Sequence, residues 1–64
     1  MIRLTRLNGK EFVLNSELIK YLEETPDTVV TMVNNERVMV AEKIETIVER
    51  VIEYGRRVRA LPVE

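Results

Sequence analysis

The chain of 64 residues contains no cysteine and no histidine. These absences exclude disulfides and remove the two commonest protein ligands of transition metals. They also exclude the common nucleophilic triads, since His or Cys takes part in each of them. Only two glycines are present, and no glycine-rich phosphate-binding motif occurs. We therefore expect a protein without enzymatic activity, without a metal site and without a cofactor.

Long apolar runs and an excess of charge are also missing. No stretch approaches the ~18 apolar residues of a membrane-spanning helix, and the first residues lack the apolar core of a signal peptide. We expect the protein to stay in the cytoplasm. The ten basic and eleven acidic residues leave a net charge of −1. Nucleic-acid binding draws most of its affinity from neutralising phosphates, so this balance argues against a nucleic-acid partner.

The length predicts a single domain over residues 1–64. A chain this short buries only about 60% of the surface that its unfolded form exposes, so its stability is marginal. Small domains usually compensate with disulfides, a metal or self-association. Because the chain has no cysteine to form a disulfide and neither cysteine nor histidine to bind a transition metal, self-association is the remaining way to stabilise it.

Two hairpin patterns organise the first two thirds of the chain. Asn8-Gly9 between apolar runs is the strongest short-range hairpin signal, and Asn34-Asn35 is its weaker counterpart. The patterns predict strands at about residues 2–7, 10–15, 28–33 and 37–41.

If both loops have two residues, Arg6 lies opposite Glu11 and Thr31 opposite Val38. In this register both hairpins carry apolar side chains on both faces. A strand that is apolar on both faces is covered on both sides, and one helix covers only one face of a sheet. The pattern therefore predicts a homo-oligomer.

Residues 17–24 fit two patterns. Leu18, Ile19, Tyr21 and Leu22 have helical spacing, but they also alternate as in a strand. The β-branched segment that follows the turn at Pro26 favours a strand, with a short helix as the alternative.

From about residue 42 to residue 60, apolar residues recur every three or four positions, which is typical of an amphipathic helix. The fold prediction is therefore α+β. It is a small antiparallel β-meander of four to five strands, built on two β-hairpins, with one C-terminal amphipathic α-helix packed on it.

The last turns of the predicted helix carry a basic cluster. Arg56, Arg57 and Arg59 lie there, with Tyr54 beside them. Basic residues at a helix C-terminus complement its dipole, and this is the preferred interpretation. The alternative is binding of an acidic partner, an anionic lipid or a nucleic acid. These four side chains are the candidate partner-contact residues.

Three acidic residues surround the turn at Pro26. Glu23, Glu24 and Asp27 supply oxygen ligands of the kind that bind divalent cations. The preferred interpretation is that they keep an edge and a turn soluble.

Three stretches together resemble the FlbD/SwrD family of small bacterial flagellar and swarming motility proteins. They are Leu-Asn-Gly-Lys-Glu-Phe at 7–12, Thr-Pro-Asp-Thr at 25–28, and a helix containing Val-Glu-Arg-Val-Ile-Glu-Tyr at 48–54. The similarity covers essentially the whole chain. Two positions depart from the family pattern: Asn34-Asn35 replaces the usual Asn-Gly, and Lys43 stands where a Ser usually precedes the helix. The second departure weakens the helix N-cap.

The resemblance implies a non-enzymatic cytoplasmic accessory of the flagellum. Such a protein supports motility and swarming by raising the power of the motor at its cytoplasmic side. The implied partner is a flagellar motor or stator-associated protein, reached by protein–protein contact, and no catalytic residues are implied. The main alternative is a small nucleic-acid-binding or regulatory module, a use that compact β-sheet domains with a helix often serve.

Overall fold

The computed structural model describes residues 1–59. Five strands precede one helix: β1 (Ile2–Thr5), β2 (Glu11–Leu14), β3 (Ile19–Glu24), β4 (Thr28–Met32), β5 (Arg37–Val40) and α1 (Ile44–Arg59). The predicted α+β class is confirmed. The strands form two antiparallel sheets, β1–β2 and β3–β4–β5, and an isolated bridge between Arg6 and Val40 links them. The predicted helix end at residue 60 lies outside the described residues.

The ambiguous segment combines both predicted alternatives. A single 3-10 turn over Ser16–Leu18 leads directly into β3. The Asn15 side-chain oxygen starts the turn by accepting a hydrogen bond from the Glu17 N–H at 3.0 Å. The apolar spacing that fits a helix is therefore divided between a short turn and a strand.

The first hairpin lies one residue away from the predicted register. Thr5 is the residue opposite Glu11, so the predicted Arg6–Glu11 pair is wrong. The loop has three residues, because the Gly9 N–H donates to the Arg6 carbonyl at 2.9 Å and the Arg6 N–H donates to the Lys10 carbonyl at 2.8 Å. Gly9 has a φ of 92°, as expected where a type I turn is followed by a left-handed residue.

The second hairpin repeats this loop. Asn35 takes the left-handed position with a φ of 74°, and its N–H donates to the Met32 carbonyl at 2.8 Å. Thr31 therefore lies opposite Arg37, and its predicted pairing with Val38 is wrong. The side chains of Asn8 and Asn34 each accept a hydrogen bond at 3.0 Å from the N–H two residues later. The shared sequence pattern of the hairpins thus corresponds to one loop geometry.

The shifted register gives the first hairpin a single apolar face. A slip of one residue moves a strand's side chains to the opposite face. Leu4 now lies opposite Phe12, and Ile2 opposite Leu14, with three of these four buried. Val13 points the other way and is 58% exposed. The predicted second apolar face of this hairpin is therefore wrong.

The core lies between this face, the β3–β4–β5 sheet and α1. It consists of seven buried apolar side chains: Ile2, Leu4, Leu14, Val30, Met32, Val40 and Ile47. Helix α1 contacts β1 and β3 and contributes Ile47, which is fully buried. Val51 and Tyr54 pack against the core from the same helix.

A distant carboxylate supplies the N-terminal cap that α1 lacks in the sequence. Glu24, at the end of β3, accepts a hydrogen bond from the Ile44 N–H at 3.1 Å. Its second oxygen lies 3.5 Å from the Lys43 ammonium. An anion at this position satisfies an unpaired N–H and complements the helix dipole. The contact therefore offsets the weakness expected from Lys43.

Candidate functional site

Helix α1 contacts both β1 and β3. An open concave surface lies between the helix and each of these strands. On the β1 side a cavity of about 200 Å³ is lined by residues 1–3 together with Arg50, Glu53, Tyr54 and Arg57. We call it the basic cleft. On the β3 side a cavity of about 380 Å³ is lined by Ser16, Ile19, Tyr21, Leu22, Val48, Val51 and Ile52. We call it the apolar groove.

The basic cleft brings together three arginines from two elements. Arg57 pairs with Glu53 at 3.5 Å, one turn earlier on α1. Arg50 donates to the backbone carbonyl of Arg3 and pairs with Glu42 at 3.1 Å. The guanidinium of Arg3 makes no ion pair within residues 1–59. The three lining arginines therefore outnumber their two paired acids, Glu42 and Glu53, by one, and a guanidinium binds a carboxylate well.

Glu42 holds Arg50, one of the arginines that line this cleft. Its side chain is only 10% exposed and accepts a hydrogen bond from the Thr5 N–H at 3.0 Å. Burial alone would raise the pKa of this carboxyl. The hydrogen bonds from Thr5, its own backbone N–H and Arg50 outweigh burial and hold the pKa below the ordinary value of 4.5. Glu42 is thus a partly buried anion that ties the end of β1 to α1 and positions Arg50.

The four candidate partner-contact residues do not lie on one surface. Tyr54 is half-buried and lines the basic cleft with Arg57. Arg56 is exposed, but successive residues lie about 100° apart around a helix, which turns it towards the apolar groove. The Arg59 side chain lies outside the described part of the structure. Tyr54 and Arg57 therefore share a site, and the binding role of all four stays a prediction.

The apolar groove combines two exposed features. Tyr21, Val48 and Ile52 are large apolar or aromatic side chains that remain 46%, 42% and 50% exposed. The strand that forms one wall, β3, is an edge strand, since among the described strands it pairs only with β4. Its other edge presents backbone N–H and C=O groups of the kind that pair with an added strand.

Sequence reasoning did not single out the apolar groove. One signal was present, since Val48 and Ile52 belong to the predicted apolar stripe of α1. They widen the stripe beyond the part that the sheets cover. The other wall, β3, could not be predicted as an edge strand, because residues 17–24 fitted both a strand and a helix. Its edge position also depends on which strands pair.

The acidic residues around Pro26 make other contacts. Glu23 pairs with Arg37 at 3.3 Å, and Glu24 caps α1. Within residues 1–59, no three acidic side chains are placed to hold a metal ion together. No helix in the same range is long and apolar enough to cross a membrane.

Comparison with known proteins identifies the family. The model of the FlbD family, described as flagellar and swarming motility proteins, matches residues 1–59 of the 64-residue chain. The chain therefore belongs to the FlbD family, and its role lies in flagellar or swarming motility. Neither the curated proteins nor the solved structures gave a match.

Proposed function

We propose that the protein is a non-enzymatic, cytoplasmic accessory that supports motility and swarming by raising the power of the flagellar motor. It acts by protein–protein contact with a motor or stator-associated protein, and it self-associates. The family match supports the motility role. One observation carries the proposed self-association: Tyr21, Val48 and Ile52 are each 42–50% exposed around a single groove. Contiguous exposed apolar groups that line a groove are typical of protein contact sites.

The two concave surfaces suit two different contacts. The basic cleft combines arginines with a tyrosine, the residue types that most often dominate binding energy at interfaces. Its excess positive charge favours an acidic segment of the motor-associated partner. The apolar groove lacks charged lining residues and favours self-association.

Motility measurements test this proposal. A deletion strain is scored for swarming and swimming speed and then complemented with variants at equal protein level. Arg3→Glu combined with Arg57→Glu reverses the charge of the basic cleft, and we expect reduced swarming and loss of the partner from pull-downs. Lys10→Glu, at the exposed residue that follows the first hairpin loop, is the matched control and should complement fully.

Two outcomes would contradict the proposal at different levels. Normal motility in the deletion strain would defeat the functional role. Full complementation by the cleft variant would leave that role intact but move the partner contact away from Arg3 and Arg57.

The alternative of a nucleic-acid-binding module depends on the arginines near the end of α1. Arg57 lies in the basic cleft, whereas Arg56 lies towards the other flank, so the basic run is divided in space. Salt-dependent binding of mixed DNA or RNA, abolished by Arg56→Ala with Arg57→Ala, would favour the alternative.

A further inference from the structure

We propose that the apolar groove is the interface of a two-fold symmetric dimer, in which β3 of one copy pairs antiparallel with β3 of a second copy. This inference rests on the proposed self-association and adds its surface and its symmetry. The occupant of the groove is therefore a second copy of this chain.

The first argument is that an open strand edge and the exposed apolar side chains coincide. β3 is the longest strand, with six residues, and its outer edge pairs with no other described strand. Val48 and Ile52 of α1 stand beside this edge and are 42% and 50% exposed. Antiparallel addition of a second β3 pairs the free backbone groups and covers these side chains in one step.

The second argument is the charge order along β3. Lys20 lies near the start of the strand and Glu23 and Glu24 at its end, where Glu23 also pairs with Arg37 and Glu24 also caps α1. A two-fold axis normal to the sheet reverses the strand direction, so the basic end of each copy meets the acidic end of the other. Opposite charges on neighbouring strands stabilise a pair, and like charges directly opposite destabilise it.

The third argument is the reverse charge order along α1. Glu45, Glu49, Ile52 and Arg56 follow one another at steps of four, three and four, so they share one exposed face beside the groove. The acids come first and the arginine last. The same axis runs the two helices in opposite directions, which sets Glu45 of one copy beside Arg56 of the other.

A single two-fold axis thus places opposite charges next to each other on both β3 and α1. A parallel arrangement would bring acidic ends together on α1 and also on β3. An antiparallel arrangement pairs opposite charges on both and is closed, because each copy uses the same patch once.

Sedimentation equilibrium of the purified chain across micromolar concentrations tests the interface. We expect a monomer–dimer equilibrium for the wild type. Ile52→Glu places a charge in the groove and should raise the dissociation constant about 100-fold or more. Met39→Glu is the matched control, since Met39 is also 50% exposed but lies on β5, outside the groove. It should leave the dimer intact, and circular dichroism should show both variants folded.

Charge reversal tests the antiparallel symmetry. Glu45→Arg and Arg56→Glu should each weaken the dimer, and the double variant should restore it, because it re-creates the pair with reversed signs. Hydrogen exchange should show concentration-dependent protection of the β3 amides. A double variant weaker than both single variants, or β3 amides that gain no protection, would overturn the arrangement.

The outcomes of these experiments distinguish the proposed dimer interface from the proposed self-association and motility role. If the Ile52→Glu variant still forms oligomers, the groove is not the interface, but self-association stands. A wild-type chain that stays monomeric would reject self-association and the dimer together, while swarming of the deletion strain still decides the motility role. A monomer whose Ile52→Glu variant fails to swarm would assign the groove to a different protein.

Discussion

Replacing Glu42 by Gln tests the contact that holds α1 against β1. A hydrogen bond to a charged group contributes about 1.5–3 kcal/mol to stability. The introduced amide keeps an oxygen for the Thr5 N–H at 3.0 Å but presents an NH₂ group to Arg50. The Arg50 side chain is 43% exposed, so solvent screening reduces the value of that ion pair. We expect a loss of about 1–2 kcal/mol in the free energy of unfolding, and a fall in Tm of about 5 °C or more.

The same substitution should change how stability depends on pH. The pKa of Glu42 is lowered in the folded chain from its ordinary value of 4.5. A carboxyl with a lowered folded pKa stabilises the protein above its unfolded pKa, and this contribution is lost as pH falls through the folded pKa. The difference between wild type and Glu42→Gln should therefore be complete at neutral pH and should shrink progressively below 4.5.

Urea unfolding followed by circular dichroism, at one protein concentration and a series of pH values, measures this difference. Glu36→Gln is the control, because Glu36 is exposed and its carboxylate makes no ion pair within residues 1–59. It should match the wild type at each pH. If Glu42→Gln kept the wild-type pH dependence, or lost as much stability in acid as at neutral pH, the assigned role of the Glu42 carboxylate would be wrong.

Two sets of substitutions in the hairpins test the loop geometry and the packing. Gly9→Ala should cost about 1–2 kcal/mol of stability by chemical denaturation, because φ is 92° although an added Cβ meets no atom within 4 Å. Asn35→Gly, at the equivalent position with a φ of 74°, should be neutral or slightly stabilising, and equal losses at both sites would contradict the shared loop. Thr31→Val should stabilise by up to about 1 kcal/mol in thermal unfolding, since the buried Thr31 hydroxyl has no hydrogen-bond partner within residues 1–59. A destabilised valine variant would show that this hydroxyl makes a contact of its own.

The fold class could be predicted because the hydrophobic period changes from two to about 3.6 after residue 41. The register could not, although the hairpins were located correctly. Asn8-Gly9 suits a two-residue loop with two positive φ values and also a three-residue loop with one. The choice depends on which face of β2 packs on the core, where Phe12 and Leu14 lie in the structure. Tertiary packing sets that preference, and a local sequence pattern contains no information about it.

The candidate sites were predictable only where neighbours in sequence stay neighbours in space. Tyr54 and Arg57 are three residues apart on a helix and share the basic cleft, whereas Arg56 turns away. Arg3 completes the cleft from the other end of the chain. Glu24 capping Ile44 is a similar long-range contact, at 3.1 Å. Such contacts follow from the packing of α1 across the two sheets, and residue spacing cannot supply them.

The observed register also changes the reason for expecting self-association. In the predicted register the first hairpin needs cover on both faces, which a second sheet layer would provide. In the observed register its outer face carries Arg3, Thr5 and Glu11, with Val13 as its single apolar side chain, and needs no second sheet layer. The groove on the flank of α1 is an exposed apolar surface that lies beside the open edge of β3. Sheet layers can stack without limit, but a two-fold contact occupies the same groove on both copies. No groove is then free to bind a third copy. Assembly should therefore stop at the dimer, and higher oligomers that form in proportion to concentration would contradict this reasoning.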